Sequence, residues 1–272
     1  MPYRPGCNLA KDFFMHASNF DLPTYLQRIG YTGHTAADTA TLHTIMRQQL
    51  FTVPFENLDV QAGKIVSLIP EDIADKILRQ GRGGYCYEVN GLFAMALQAL
   101  GIPYRFVSAR PMFYPARRPR THMAVIAEVE GRRWLCDLGF GSYGIRAPMD
   151  LGTVGIDIAQ DSDTFQLTLD ERGEYLLKAK VEGEWANQYA FDLSPQEWID
   201  FAPANYLNST HPEAIFVQKL LVMLHQSSGR VILLDDMLKT VTNGHVEKKQ
   251  LAREEINEVL NRLFGLAPAL QQ

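Results

Sequence analysis

The chain has 272 residues, 46% of them hydrophobic and 21% charged, with a formal net charge of -5. This composition supports an ordinary globular core that needs no disulfide or metal staple. The acidic balance, with no strongly basic section, excludes a dedicated nucleic-acid binder, and no apolar run of about 18 residues is present to span a membrane.

The length allows one to three units. Residues 1–20 lack a long apolar core behind a basic head, so no secretory signal is expected. In chain order, residues 22–29, 39–50 and 70–78 carry apolar positions at helical spacing, the first stopping at Gly30 and the last starting at Pro70. A longer helix is predicted over 88–100, closed by Gly101 and Pro103. The period then shortens: 104–109, 123–129, 133–138, 165–169 and 175–181 read as strands, with turns at Gly131 and over 170–173. Past Pro195 the pattern is mixed. Residues 215–224 alternate too little to assign, 231–234 suggest a strand, and 254–264 a closing helix that ends at Gly265. Helices first and strands later define an α+β chain rather than repeated βαβ units.

Three cysteines, Cys7, Cys86 and Cys136, are too few and wrongly spaced for a disulfide framework or a zinc site, so a cytoplasmic protein without a metal is expected. Arg117, Arg118 and Arg120, interleaved with prolines, form the densest cationic stretch and read as a solvated loop.

The segment Arg82-Gly83-Gly84-Tyr85-Cys86-Tyr87-Glu88-Val89-Asn90 sets a cysteine just before the predicted 88–100 helix. The positive end of that helix favours a thiolate, and the glycines admit a close backbone approach and oxyanion-stabilising N–H groups. Equally, Cys86 fits the usual free cysteine, a small buried hydrophobe. A nucleophilic thiol needs a base and an orienting group. His122 opens an apolar strand, and Asp137 sits where an unpaired carboxylate would be expensive; a solvent-facing histidine and a backbone-bonded aspartate stay open as alternatives. A turn at Gly131-Arg132 would leave the two about four residues out of register, too far for a hydrogen bond at about 3.3 Å per residue. Direct pairing is therefore expected to need a longer loop over 128–131 or a bulge.

Five stretches in order carry a resemblance: Val53-Pro54-Phe55-Glu56-Asn57-Leu58-Asp59, the 82–90 segment, Thr121-His122-Met123, Asp137-Leu138-Gly139-Phe140-Gly141, and Asn208-Ser209-Thr210-His211-Pro212 with Phe216. Over nearly its full length the chain resembles the arylamine N-acetyltransferase family. The resemblance implies an N-terminal helical bundle (1–101), a central β-barrel-like domain (102–205), a C-terminal α/β lid (206–272), and a papain- or transglutaminase-like catalytic core. It implies Cys86 as the acetyl-accepting nucleophile, His122 as general base and acid, and Asp137 as the group orienting His122. Acetyl-CoA would be the acyl donor and a small aromatic amine the acceptor. Tyr85 and Phe140 would wall the acceptor pocket, and Gly139, Gly141 and Gly144 would let the pantetheine arm pass close to the backbone. Ser209 and Thr210 match a stretch near CoA, and Glu56 with Arg82 matches a bracing ion pair. For each of these, plain packing, turn capping or surface charge is the alternative. Two departures stand out: Ser142 where a second glycine is common, and Ala214 where a serine is common.

The same triad also serves amide synthases that take acyl chains from carrier proteins, and cysteine hydrolases. The preferred amine and the oligomeric state are not encoded in any motif.

Overall fold

Short polar caps and apolar stripes build the first third of the chain. The computed structural model describes residues 15–267, so Cys7 and most of the segment read against a secretory signal lie outside the described residues. Helices α1 (Leu22–Arg28) and α2 (Thr39–Thr52) begin at Asp21 and Asp38, whose carboxylates accept the backbone N–H of Thr24 at 2.8 Å and of Thr41 at 2.7 Å. A two-residue strand β1 (Phe55–Glu56) follows, then α3 (Leu58–Gln61) and α4 (Pro70–Ala74), which runs into a π-type turn at Asp75–Arg79. The long helix α5 spans Cys86–Ala99, two residues earlier than expected, so Cys86 lies inside its first turn rather than ahead of it. Every residue from Cys86 to Leu97 is buried. A helix apolar all round must be enclosed by protein, and α5 packs against α1, α4 and the central sheet.

That sheet is antiparallel, has eight strands in the order β5-β4-β3-β2-β9-β8-β7-β6, and curls into a half-barrel. Its strands are β2 (Tyr104–Pro111), β3 (His122–Val129), β4 (Arg132–Cys136), β5 (Met149–Asp150), β6 (Asp157–Gln160), β7 (Asp163–Leu169), β8 (Tyr175–Val181) and β9 (Glu184–Phe191). The expected strands appear as β2, β3, β4, β7 and β8; β5, β6 and β9 are additions. One continuous core joins α1, α2 and α5 to the inner face of this sheet.

After α6 (Ala202–Thr210) and α7 (Ile215–Gln218), the weakly patterned stretch yields β10 (Leu221–Gln226) and β11 (Gly229–Leu234). Two further strands, β12 (Met237–Thr242) and β13 (His245–Gln250), close around Asn243-Gly244, both at positive φ. Asn-Gly is the turn pair such a hairpin favours. The amphipathic α8 (Arg253–Phe264) lays Ile256, Val259, Leu260 and Phe264 on this second sheet, forming a separate small core, and stops at Gly265 with φ 66°. The second sheet has the order β1-β10-β11-β12-β13, so its edge strand comes from the helical third of the chain: Phe55 pairs with Met223 and Glu56 with Val222.

A buried charge cluster joins the two sheets. Arg146 is fully enclosed and donates to Asp161 at 2.8 Å, to Asp163 at 3.4 Å and to the Gly229 carbonyl at 3.1 Å. Arg230 reaches Asp163 with two bonds of 3.1 and 3.2 Å. Burial and the two guanidiniums hold His225 well below the usual histidine range, so its Nδ1 accepts from Arg146 at 3.2 Å as a neutral ring. Removing one partner of such a group strands the others. Arg146→Met should lower the unfolding free energy by about 3–5 kcal/mol, read as a shift of the urea midpoint at unchanged slope.

Candidate active site

The turn that bears Cys86 is held by carboxylates from below. Glu88 Oε2 accepts the Tyr85 N–H at 3.0 Å, closing the start of α5, while its Oε1 accepts from Lys76 at 2.6 Å. Lys76 also pairs with Asp59 at 2.6 Å and lies 3.6 Å from Glu56, and Arg82 binds Glu56 at 2.8 Å. Glu56 in turn accepts the Leu58 N–H at 2.7 Å. The expected Glu56–Arg82 pair is thus one edge of a five-member network. Burial, reinforced by the Glu56 charge and opposed by Lys76, pushes the Glu88 carboxyl up to about 7. Gly84 leaves room for this cap, since a Cβ there would lie 2.5 Å from Glu88 Oε2.

Cys86, His122 and Asp137 come together under the surface, at 3%, 5% and 1% exposure. His122 Nε2 and Asp137 Oδ2 are 2.7 Å apart, and Cys86 lies near enough to add to the charge environment of the same ring. The hairpin achieves this with neither the longer loop nor the bulge expected. Its turn is Glu130-Gly131, one residue earlier, with φ of 52° and 72°, and Val129 pairs directly with Arg132. Continuing the Val125–Cys136 register sets Asp137 across from Ala124. Asp137 is then a diagonal neighbour of His122 on the same face, at a Cα separation of about 7–8 Å that two side chains span. The expected turn erred because glutamate at positive φ is uncommon.

Burial alone would depress the His122 pKa, but the Asp137 charge and hydrogen bond outweigh it, with Cys86 adding, and raise it to about 10. Burial pushes the Asp137 carboxyl up, but His122, Asn90 and the Gly139 N–H together bring it below the ordinary range. The pair is therefore ionised across neutral pH. The histidine contribution to stability is complete below its unfolded value of 6.5 and is lost as pH rises through about 10. The aspartate contribution is present above its unfolded value of 3.8 and is lost as pH falls through its lower folded value. The Tm difference between the native protein and His122→Gln should accordingly narrow as pH is raised from about 8 to 11; a constant difference in scanning calorimetry would contradict the pairing.

Several residues that sequence reasoning assigned no role complete the site. Asn90 lies one turn after Cys86 on the enclosed α5. Its Nδ2 donates to the Met123 carbonyl at 2.7 Å and to Asp137 at 3.1 Å, and its Oδ1 accepts the Leu138 N–H at 2.8 Å. Thr121 O, immediately before His122, accepts from Tyr87 at 2.8 Å and from Asn208 at 3.0 Å. Tyr189 of β9 packs 4.9 Å from both the His122 and Phe140 rings, with its hydroxyl buried beside Asp137. A lone amide four residues after the cysteine, in an apolar helix, was the available signal for Asn90; nothing local marks Tyr189. Asn90→Ala, which leaves the Leu138 N–H and one Asp137 oxygen without this partner, should cost about 1–3 kcal/mol of stability, measured by urea unfolding.

The remaining expected residues fall in distinct settings. Phe140 meets the His122 ring edge-on at 5.1 Å. Tyr85 is fully buried, its hydroxyl donating to Asn205 and lying 3.1 Å from Ser209. Ser209 Oγ also accepts the Val66 N–H at 3.3 Å, whereas Thr210 is exposed and donates to Tyr206 O at 2.7 Å. Gly139 has a packing reason: a Cβ would sit 2.4 Å from the Cys86 Cα. At Gly141 it would meet the Phe55 ring at 2.9 Å. Cys136 is enclosed in β4, and burial pushes its thiol far above the ordinary range. A small alkylating reagent should modify Cys86 ahead of Cys136 in the native protein, read by peptide mass mapping.

A cysteine in the first turn of a buried helix, beside a histidine held by a carboxylate, is an arrangement that cysteine acyl transfer can use. The comparisons with known proteins narrow this. A family model described as N-acetyltransferase matches residues 38–271. The Escherichia coli K12 arylamine N-acetyltransferase is 32% identical over 248 residues, covering 89% of this chain and 87% of that protein. The Nocardia farcinica arylamine N-acetyltransferase crystal structure superposes with a TM-score of 0.87 at 32% identity, covering 94% of this chain and 92% of that one. The Mycobacterium marinum enzyme in complex with CoA gives 0.85 at 30% identity, over 90% and 93%. The chain belongs to the arylamine N-acetyltransferase family.

Proposed function

We propose that this chain transfers acetyl groups from acetyl-CoA to an arylamine, arylhydrazine or N-hydroxyarylamine by a ping-pong route through Cys86. The observation carrying this reading is the buried His122 ring, held by Asp137 at 2.7 Å with Cys86 beside it. His122 already holds the proton drawn from the thiol in the resting pair, and the Cys86 sulfur attacks the thioester carbonyl. The new S–C bond forms as the bond to the CoA sulfur breaks, and His122 returns the proton to that sulfur. The acceptor nitrogen or oxygen then attacks the acetylated Cys86, and the proton it sheds passes through His122 to the departing cysteine sulfur. Backbone N–H groups at the start of α5 face the developing oxyanion, and a charged His122 offsets the sulfur anion. Exchange between thioesters is close to thermoneutral, so positioning and a ready thiolate do most of the work.

Phe140, edge-on to His122, forms a wall for the flat acceptor, and Tyr85 supports the Cys86 turn from behind. The CoA thioester runs past Gly139 and Gly141. Thr210 offers it an exposed hydroxyl, whereas Ser209 is committed to internal bonds. The division into 1–101, 102–205 and 206–272 suits the helices before Ala99, the half-barrel and the closing sheet with α8. A cysteine on a helix start facing a strand-borne histidine supports the papain- or transglutaminase-like core. Among the described residues no helix is long and apolar enough to cross a membrane. A nucleophile that must stay reduced suits the cytoplasm.

Incubation with acetyl-CoA should add one acetyl group by intact mass. The adduct should be absent in Cys86→Ala, and an arylamine should discharge it with formation of the amide. No Cys86-dependent adduct would sink the reading; rapid release of acetate without an amine would favour a hydrolase, and loading only from an acyl carrier would favour an amide synthase.

A further inference from the structure

The arginine-rich stretch assigned above to a solvated loop lies against the active site. Residues 112–121 connect β2 to β3 and are pinned at both ends. The Met112 N–H donates to Gln188 O at 2.8 Å, and Thr121 O holds the Tyr87 and Asn208 bonds beside His122. An aromatic ladder runs outward from the catalytic ring: Phe140 on His122, Phe113 on Phe140 at 5.9 Å, Tyr114 on Phe113 at 4.2 Å, and the Arg118 guanidinium over Tyr114 at 4.8 Å. Phe113 is 46% exposed, a large ring left at the surface on the way to the site.

The charges on this loop are unbalanced. Arg120 is neutralised by Asp192 at 2.6 Å and Glu174 at 3.5 Å. Arg110, Arg117 and Arg118 have no carboxylate within ion-pairing distance among the described residues. Arg110 donates to the Arg118 backbone carbonyl, which ties the two residues together, and the enclosed Nε of each lacks an acceptor. Unpaired, partly desolvated cations are costly, and here they gather in a chain whose net charge is -5. A solvated loop accounts for Arg117 but not for the other two.

We infer that Arg110, Arg117 and Arg118 form an anion subsite for the phosphates of the acyl donor, with Phe113 and Phe140 marking the path its pantetheine arm takes to Cys86. This rests on the acetyl-CoA reading above and adds to it the group that recognises the donor's charged end. Guanidinium forks match phosphate oxygens in geometry and charge, and three cations at the mouth attract a polyanionic donor from solution. A neutral acceptor amine gains nothing from them, so the subsite separates donor from acceptor at one entrance.

Binding of CoA and of pantetheine, measured by titration calorimetry without turnover, tests this. Arg117→Glu/Arg118→Glu should weaken CoA binding at least about tenfold, flatten its salt dependence, and leave pantetheine affinity as in the native protein. The single variant Arg117→Glu, at an exposed position, should move CoA affinity in the same direction and guards against misfolding of the pair. Equal CoA affinity across all three proteins, or the same loss for pantetheine, overturns the subsite. Dephospho-CoA then assigns the contact: loss of the arginine effect points to the 3′-phosphate, persistence to the diphosphate. The two readings fail separately. Arginine-dependent CoA binding without acetylation of Cys86 sinks the proposed function alone, and acetylation with arginine-independent CoA affinity sinks the subsite alone.

Discussion

A single amide sets the relation between the helix that carries Cys86 and the hairpin that faces it. Asn90 is enclosed in α5, where an unsatisfied polar side chain would be expensive, so the helix is bound to the groups that satisfy it. Those groups are the Met123 carbonyl on β3, the Asp137 carboxylate and the Leu138 N–H just beyond β4. With these bonds made, the rotation and axial position of α5 against the hairpin are determined, and Cys86 one turn earlier must face His122. Gly139 then lies on the Cys86 backbone so closely that no side chain fits between them. The remaining supports answer to this contact: Glu88 and Lys76 hold the start of the helix, and Tyr87 with Asn208 holds the carbonyl ahead of His122.

Electrostatics follows from the same enclosure. In a dry site a carboxylate and an imidazole form a pair that persists over a wide pH range, because separating the charges would leave each one desolvated and alone. The network beneath α5 has the opposite balance, with three carboxylates against two cations. Its Glu88 therefore carries a carboxyl pushed into the neutral range, while Asp137 stays ionised. Two buried acids a turn apart in their influence on Cys86 thus behave differently for a stated reason: one faces a cation of its own, the other shares.

How much of this was legible depended on whether the signal was local. Helix caps and periodicity placed α1, α2, α5 and α8 to within a few residues, and alternation placed β2, β3, β4, β7 and β8. The triad residue types stood out because a lone cysteine at a helix start and an aspartate in an apolar strand each ask for a partner. Register was not legible. Moving the turn by one residue, from Gly131-Arg132 to Glu130-Gly131, shifts the pairing by two, and that difference decides whether His122 reaches Asp137. The preference against glutamate at positive φ pointed the wrong way. Tyr189 arrives from β9, far along the chain, and no spacing rule could have brought it to Asp137. Asn243-Gly244 marks the turn of the β12–β13 hairpin, but β13 is exposed and polar throughout, so the alternation that betrays a half-buried strand was faint.

The pairing of β1 with β10 has a consequence for the order in which the protein acquires its shape. Phe55 and Glu56 leave the ribosome long before Met223 and Val222, their strand partners in the second sheet. At about 5–20 residues per second the delay is on the order of ten to thirty seconds. Throughout that interval the helical unit and half-barrel can form, but Phe55 stays without its cover and the second small core does not yet exist. The Cys86 turn depends on Glu56 through Arg82 and Lys76, so its final bracing waits on the closing sheet. The site is thus completed last in biosynthesis, when the end of the chain folds back onto a strand made near its beginning.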